Sequence, residues 1–166
     1  MGYTKDKDVR VMLYKEIDHR LQHQHLELKF LLKDLDQDFV MKQHSEGKWS
    51  IHENLAHLGR YQEVLLERLK RILKEDSPHC PRYHAEEDPN YDKWVKKSTE
   101  VILEDIFEKR KQLKRFIEGL TSQQLIRKGL HPLFLDMTIL QWTQFFLLHE
   151  SHHIYTIFRV KRVNGK

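Results

Sequence analysis

His149 and His153 stand four residues apart inside an apolar stripe, and no other feature constrains this chain as much. In a helix the two imidazoles share one face, with Cβ atoms roughly 5–6 Å apart. Trp142, Phe146, Ile157 and Val160 fall on the same face. Imidazoles among apolar side chains are costly unless their nitrogens find partners. A divalent metal is one such partner, because neutral imidazole is its commonest protein ligand. A third histidine, His57, occupies the same kind of position on another helix. The spacing therefore predicts a three-histidine metal site between helices. The alternative is a set of core histidines bonded to backbone or side-chain groups.

The rest of the chain supplies the helices. Leu13, Ile17, Leu21, Leu28, Leu31 and Leu35 recur in steps of three, four and seven, which predicts a helix from about Asp8 to Leu35. Phe39 to Lys48 reads as a connection, with Gly47 as a breaker. Ser50 and Glu53 have the spacing of a capping box and start a second helix that runs to Leu73 or Lys74. On it Val64, His57, Tyr61, Ile72, Leu65, Leu58 and Leu69 share an arc of roughly 140°. Asn54 and Arg68 also lie in that arc, which is unusual for a plain core. Glu75 to Lys93, with Pro78, Pro81 and Pro89, reads as one long irregular stretch, the kind that often carries function.

Ile102, Ile106, Leu113 and Phe116 or Ile117 predict a third helix over about Ser98 to Gly119. A short helix within Thr121 to Lys128, ended by Gly129, follows it. Thr138 and Gln141 repeat the capping-box spacing and begin a fourth long helix that ends near Val163. Leu140, Leu147, Ile154 and Phe158 give this helix a second apolar face, for a neighbouring helix or for a second copy of the chain. Together these patterns predict an all-α, up-and-down-type four-helix bundle with the metal site between helices, in a single domain over residues 1–166.

Composition excludes several classes. Six glycines and four prolines are too few for an all-β fold full of turns. No apolar run approaches the roughly 20 residues of a membrane span. Cys80 is the only cysteine, so no disulfide within the chain is possible. The polar residues Met1 to Asp8 lack a signal-peptide core, and Asp6 stands where a myristoylation site needs Ser or Thr. A cytoplasmic protein is the expectation. The net charge of +4 comes from mixed charges, as in Glu67 to Asp76, and leaves no basic stripe for nucleic acid.

Other histidines read differently. His19 and His23 share the four-residue spacing but lie opposite their helix's apolar stripe, on the surface. His52 faces away from the site into solvent, and His152 flanks it. Glu53 is a weak candidate for a general base, since capping alone explains it. Tyr61 and Trp142 face the site as packing. Cys80 with His79 and His84 lacks the paired-cysteine spacing of a zinc finger.

Trp49 to Leu58 resembles the second-helix signature of the DinB/YfiT-like superfamily, in which a tryptophan and a small polar residue precede a ligand histidine. His149 to Ile154 is similar to its last-helix signature, with two ligand histidines four apart. The order of helices and the overall length agree across nearly the whole chain. The resemblance implies metal ligands His57, His149 and His153. It implies a metal-dependent hydrolase, or a transferase in which the metal activates a low-molecular-weight thiol. Zinc or nickel, with iron or manganese as alternatives, suits three imidazoles. A small-molecule substrate is expected, with no nucleic acid and no membrane. A non-catalytic metal- or ligand-binding homodimer is the reading from another class. Tyr155 and Thr156 stand where family members often carry Gly-Gln, a departure that bears on substrate geometry rather than on the ligands.

Overall fold

A computed structural model describes residues 15–165. The expected helix start at Asp8, with Leu13 and the Met1 to Asp8 segment, lies outside them. Helix α1 covers residues 15–23 and passes through a 3-10 turn, Gln24–Leu26, into α2, Glu27–Leu32. Helix α3, Gln37–Met41, is capped by Asp36, whose side chain accepts from the Phe39 amide. Helix α4 is Ile51–Lys74, α5 is Pro89–Val95, α6 is Thr99–Glu118 and α7 is Ser122–Leu125. Strands β1, Lys128–His131, and β2, Leu135–Thr138, form an antiparallel hairpin that leads into α8, Ile139–Asn164.

The four long helical segments are α1–α2, α4, α6 and α8, and they form a four-helix bundle. Capping fixes where they begin. The Ser50–Glu53 and Thr138–Gln141 boxes are both closed reciprocally, side chain to backbone in each direction. Side-chain contacts give the helix directions. His52 meets Thr99 and Gln62 meets Ile106, so α4 and α6 run parallel. Asn54 meets His153 and Tyr61 meets Phe146, so α4 and α8 run antiparallel. The long connection after α4 therefore carries the chain back along the bundle, giving the up-and-down alternation one parallel step.

That connection is more ordered than its composition suggests. Asp88 caps α5 and Pro89 occupies its first turn, a favourable start because proline lacks only an amide that would be unpaired there. Residues 89–93, expected to be irregular, are thus helical. Trp94 on α5 lies so close to α4 at Gly59 that a Cβ there would overlap its ring. Two further expectations change in the same way. Residues 39–41, read as connection, belong to α3 behind the Asp36 cap. Lys128 and Gly129, read as the end of a short helix, belong to β1, and Gly129 lets the hairpin press on Ile72 and Trp142.

The apolar core is divided. One cluster contains Leu21, Leu65, Leu113, Trp142 and Phe146. The other contains Leu28, Leu55, Ile106, Trp94 and Ile157. On each long helix a polar residue sits between the two: His25 after α1, His57 and Gln62 on α4, Arg110 on α6, and His149, Glu150 and His153 on α8. All of these except half-buried His149 are buried. Burial of each large aliphatic side chain stabilises by roughly 1.5–3 kcal/mol, which lets the fold carry this polar layer.

Half of the layer is an ion-pair network. Arg110 pairs with Glu150 and donates to Gln62 Oε1 at 2.9 Å and to the Leu21 carbonyl at 3.1 Å. Gln24 donates to the other Glu150 oxygen at 2.8 Å. The second apolar face of α8 is partly covered within the chain: Leu147 is buried, Ile154 is half-buried and Phe158 is exposed. Among the described residues no helix is long and apolar enough to cross a membrane.

Candidate metal centre

The other half of the polar layer is the histidine cluster. His57 enters from α4, and His149 and His153 enter from successive turns of α8. The Nε2 atoms of His57 and His149 are 3.0 Å apart, and those of His149 and His153 are 3.2 Å apart. His57 is 5% exposed and His153 9%. Among the described residues these three form the group whose donor atoms could share one ion.

Protonation follows from the surrounding bonds. Asn54 Nδ2 donates to the Ser50 carbonyl at 2.8 Å and to the Trp49 carbonyl at 3.4 Å. Its Oδ1 must then be the atom 2.8 Å from His153 Nδ1, and it accepts. His153 therefore carries its proton on Nδ1 and points a bare Nε2 at the centre. Burial holds all three imidazoles far below the ordinary range, with neighbouring histidines adding to the effect. His57 is lowered to about 2, His149 to about 3 and His153 to about 4. All three are neutral at pH 7.

Neutral rings leave a mismatch. With His153 Nε2 bare, at most one of the two close Nε2 contacts is a hydrogen bond, because His149 Nε2 is either a donor or an acceptor. The other contact then sets two lone pairs or two N–H groups against each other, or shares a single hydrogen. The buried Nδ1 atoms of His57 and His149 have no protein partner among the described residues. One cation at the centre removes the repulsion by accepting all three lone pairs. Nitrogens held at about 2.0–2.1 Å from a common ion stand about 2.9–3.4 Å from one another, and the His57–His149 and His149–His153 spacings fall in that range. The residues present fit a divalent metal.

Aromatic side chains wall the centre. Trp49 and Tyr83 lie 5.0 and 5.7 Å from the His57 ring, and Tyr61 lies 4.1 Å from that of His149. The tyrosine hydroxyls around the centre are turned to other partners. Tyr83 donates to Asp88, Tyr91 to the Glu53 carbonyl, and Arg68 donates to the Tyr61 hydroxyl. Glu53 has its carboxylate engaged by the Ser50 amide at 2.6 Å and by Gln43 at 3.1 Å, in its capping role.

Two sequence expectations need correction. His52, expected to be solvated, is 1% exposed, and its ring nitrogens bond Thr99 Oγ1 and the Val95 carbonyl, so it joins α4 to α6. Trp142 does not reach the histidines. It is two helical turns from His149 and packs instead on Arg68 and His131. His19 and His23 are exposed as expected, and His152 flanks the centre with its ring 5.3 Å from that of His153. Cys80 is buried, its thiol pushed up by burial, while His79 and His84 are exposed. The parts that sequence reasoning missed are the role of Asn54 and the walls from Trp49, Tyr83 and Tyr91. Asn54 stood out as a polar residue within an apolar arc, Trp49 lay in the second-helix signature, and Tyr83 and Tyr91 lay in the long connection, but no local pattern placed them around the histidines.

Comparison with known proteins adds to this geometry. The DinB superfamily profile matches residues 20–157. The uncharacterized protein YuaE of Bacillus subtilis is 26% identical, over 78% of this chain and 88% of its own. The putative metal-dependent hydrolase OB0413 of Oceanobacillus iheyensis is also 26% identical, over 74% of this chain and 70% of its own. Among solved structures, YfiT from Bacillus subtilis, described as a probable metal-dependent hydrolase with an unusual four-helix bundle topology, superposes with a TM-score of 0.68. It is 19% identical, covering 99% of this chain and 91% of its own. The DinB-like protein YjoA of the same organism gives a TM-score of 0.62 at 17% identity, covering 91% and 93%. With the profile match spanning most of its length, the chain belongs to the DinB superfamily.

Proposed function

We propose that this protein is a metal-dependent hydrolase acting on a small molecule, with His57, His149 and His153 holding one divalent metal. The observation that carries the reading is the convergence of three neutral Nε2 atoms, one of them fixed bare by Asn54. A divalent metal bound by three neutral ligands supplies a Lewis acid and an activated water, because it keeps its full charge and open coordination positions. The names carried by OB0413 and YfiT support the same activity.

The chain's own residues set the conditions for that chemistry. Asn54 fixes the His153 ring by holding its Nδ1 proton. Trp49, Tyr61 and Tyr83 keep bulk water from the centre, which strengthens electrostatic interactions inside it. Among the described residues no carboxylate joins the three histidines as a ligand. The substrate then meets a cationic centre in an apolar, aromatic surround.

Transfer to a small thiol uses the same ligands, and product analysis separates the two reactions. Untagged protein loaded with zinc or nickel is incubated with ester, amide and electrophilic substrates, with and without added cysteine or glutathione. Water-derived products formed without thiol support hydrolysis. Thiol adducts formed only with thiol point to transfer. Absence of turnover in both arms from metal-loaded protein overturns the enzymatic reading.

A further inference from the structure

A cavity of about 400 Å³ opens beside the metal centre, between residues 44–49 and the C-terminal half of α8. His153 and Asn54 line it, so it reaches one ligand and the residue that orients that ligand. Lys48 and Arg159 line it too, and both side chains are exposed. Neither has an ion-pair partner among the described residues. Three of the five cations lining the cavity between α4, α5 and α6 differ. There Arg60 is paired with Asp88, Lys97 with Asp105 and Lys109 with Glu63. Glu86 is the one carboxylate lining the cavity beside the centre, so two fixed cations face one acid.

The backbone segments that carry the two cations are held relative to the centre. The Lys48 amide closes a turn on the Ser45 carbonyl at 3.1 Å, with Gly47 at φ 65° supplying the left-handed residue. The next residue, Trp49, has its carbonyl bonded by Asn54 and its ring stacked 6.1 Å from that of His153. Arg159 follows His153 by six residues, about 9 Å along the helix axis. Helical side chains lean toward the N-terminus, which carries Arg159 over the preceding turn, where Thr156 also lines the cavity.

We propose that this cavity is the anionic subsite of the active centre: the substrate is a small molecule carrying a carboxylate or phosphate, held by Arg159 and Lys48 while its reacting bond lies at the three histidines. The substrate class rests on the metal-centre reading. A cavity of this volume suits a small molecule. A planar guanidinium binds either oxyanion through two parallel hydrogen bonds.

The test is titration calorimetry with succinate and with inorganic phosphate, the two arms separating carboxylate from phosphate. Each is added to protein as purified and to chelator-treated protein. The variants are Lys48→Gln and Arg159→Gln, with Lys74→Gln as a distant control. The expected result is binding of at least one anion in both preparations, weakened about fivefold or more by Lys48→Gln and by Arg159→Gln, and unchanged by Lys74→Gln. No binding, or binding that is insensitive to both substitutions, overturns the proposal. Metal content of the same samples separates the two failures. Metal uptake without charge-dependent anion binding overturns the subsite alone. Charge-dependent binding by a chain that takes up no metal supports the anion site and overturns the metal centre.

Discussion

Asn54 on α4 accepts a hydrogen bond from His153 Nδ1 on α8 at 2.8 Å, and this one bond decides which nitrogen of His153 faces the centre. Asn54 can do so because its amide nitrogen is already committed to the Ser50 and Trp49 carbonyls. Replacing it frees the His153 ring to turn and to change tautomer. Asn54→Ala is therefore expected to weaken metal binding by about 10–100-fold with the helical fold kept. Competition against a chromophoric chelator, with circular dichroism on the same sample, checks this. Unchanged affinity would remove Asn54 from the site.

The Arg110–Glu150 pair should behave as a buried pair, not as a surface one. Both side chains are almost fully buried, and the remaining guanidinium donors are satisfied by Gln62, the Leu21 carbonyl and His25. Removing one partner strands the other charge. Glu150→Ala is expected to cost about 3–5 kcal/mol in urea unfolding. The double replacement Arg110→Met with Glu150→Leu is expected to recover much of that loss, because it removes both charges. A loss under about 1 kcal/mol for Glu150→Ala would show that water reaches the pair.

His25 gives the fold a defined acid sensitivity. Its Nδ1 accepts from Arg110, and burial, with the Arg110 charge adding to it, lowers its pKa to about 3. The unfolded chain protonates His25 near 6.5, so between pH 6.5 and about 3 the unfolded state binds the extra proton. Stability from this residue is complete above pH 6.5 and is lost as the pH falls through that window. The slope approaches about 1.4 kcal/mol per pH unit. Metal-free His25→Asn protein, measured by urea unfolding at pH 6, 5 and 4, should lose stability less steeply than the native chain by about that amount. Identical slopes would contradict the assignment.

Gly59 marks where α5 is pressed against α4. The overlap of an added Cβ with the Trp94 ring predicts that Gly59→Ala destabilises by about 1–3 kcal/mol, although alanine is the better helix former. Pairing it with Trp94→Phe should recover part of the loss. A stabilised Gly59→Ala protein would mean that the ring moves aside freely.

The sequence made the long helices legible because capping boxes and 3.6-residue periodicity are local. Ser50 with Glu53 and Thr138 with Gln141 closed as their spacing predicted, and the helices they start end close to where expected. His57, His149 and His153 were legible because apolar neighbours made their polarity anomalous. What stayed hidden depends on partners distant in sequence. His52 is buried because α6 and the end of α5 supply Thr99 and the Val95 carbonyl, which periodicity on α4 alone does not reveal. The network around Arg110 joins residues from four helices. The hairpin over 128–138 escaped because its strands are four residues each and β2 starts at Leu135 with φ 58°, an uncommon conformation for leucine. Asp88 before Pro89 was a local signal of α5, masked by the prolines around it.

The central claim is that His57, His149 and His153 hold one divalent metal. Elemental analysis of untagged protein tests it most directly, comparing the native chain with His153→Ala, both before and after incubation with zinc or nickel and removal of excess ion. The account predicts about one metal per chain in the native protein and almost none in the variant, with the variant still helical. A native chain that takes up no metal, or a His153→Ala variant that keeps it, would contradict the claim.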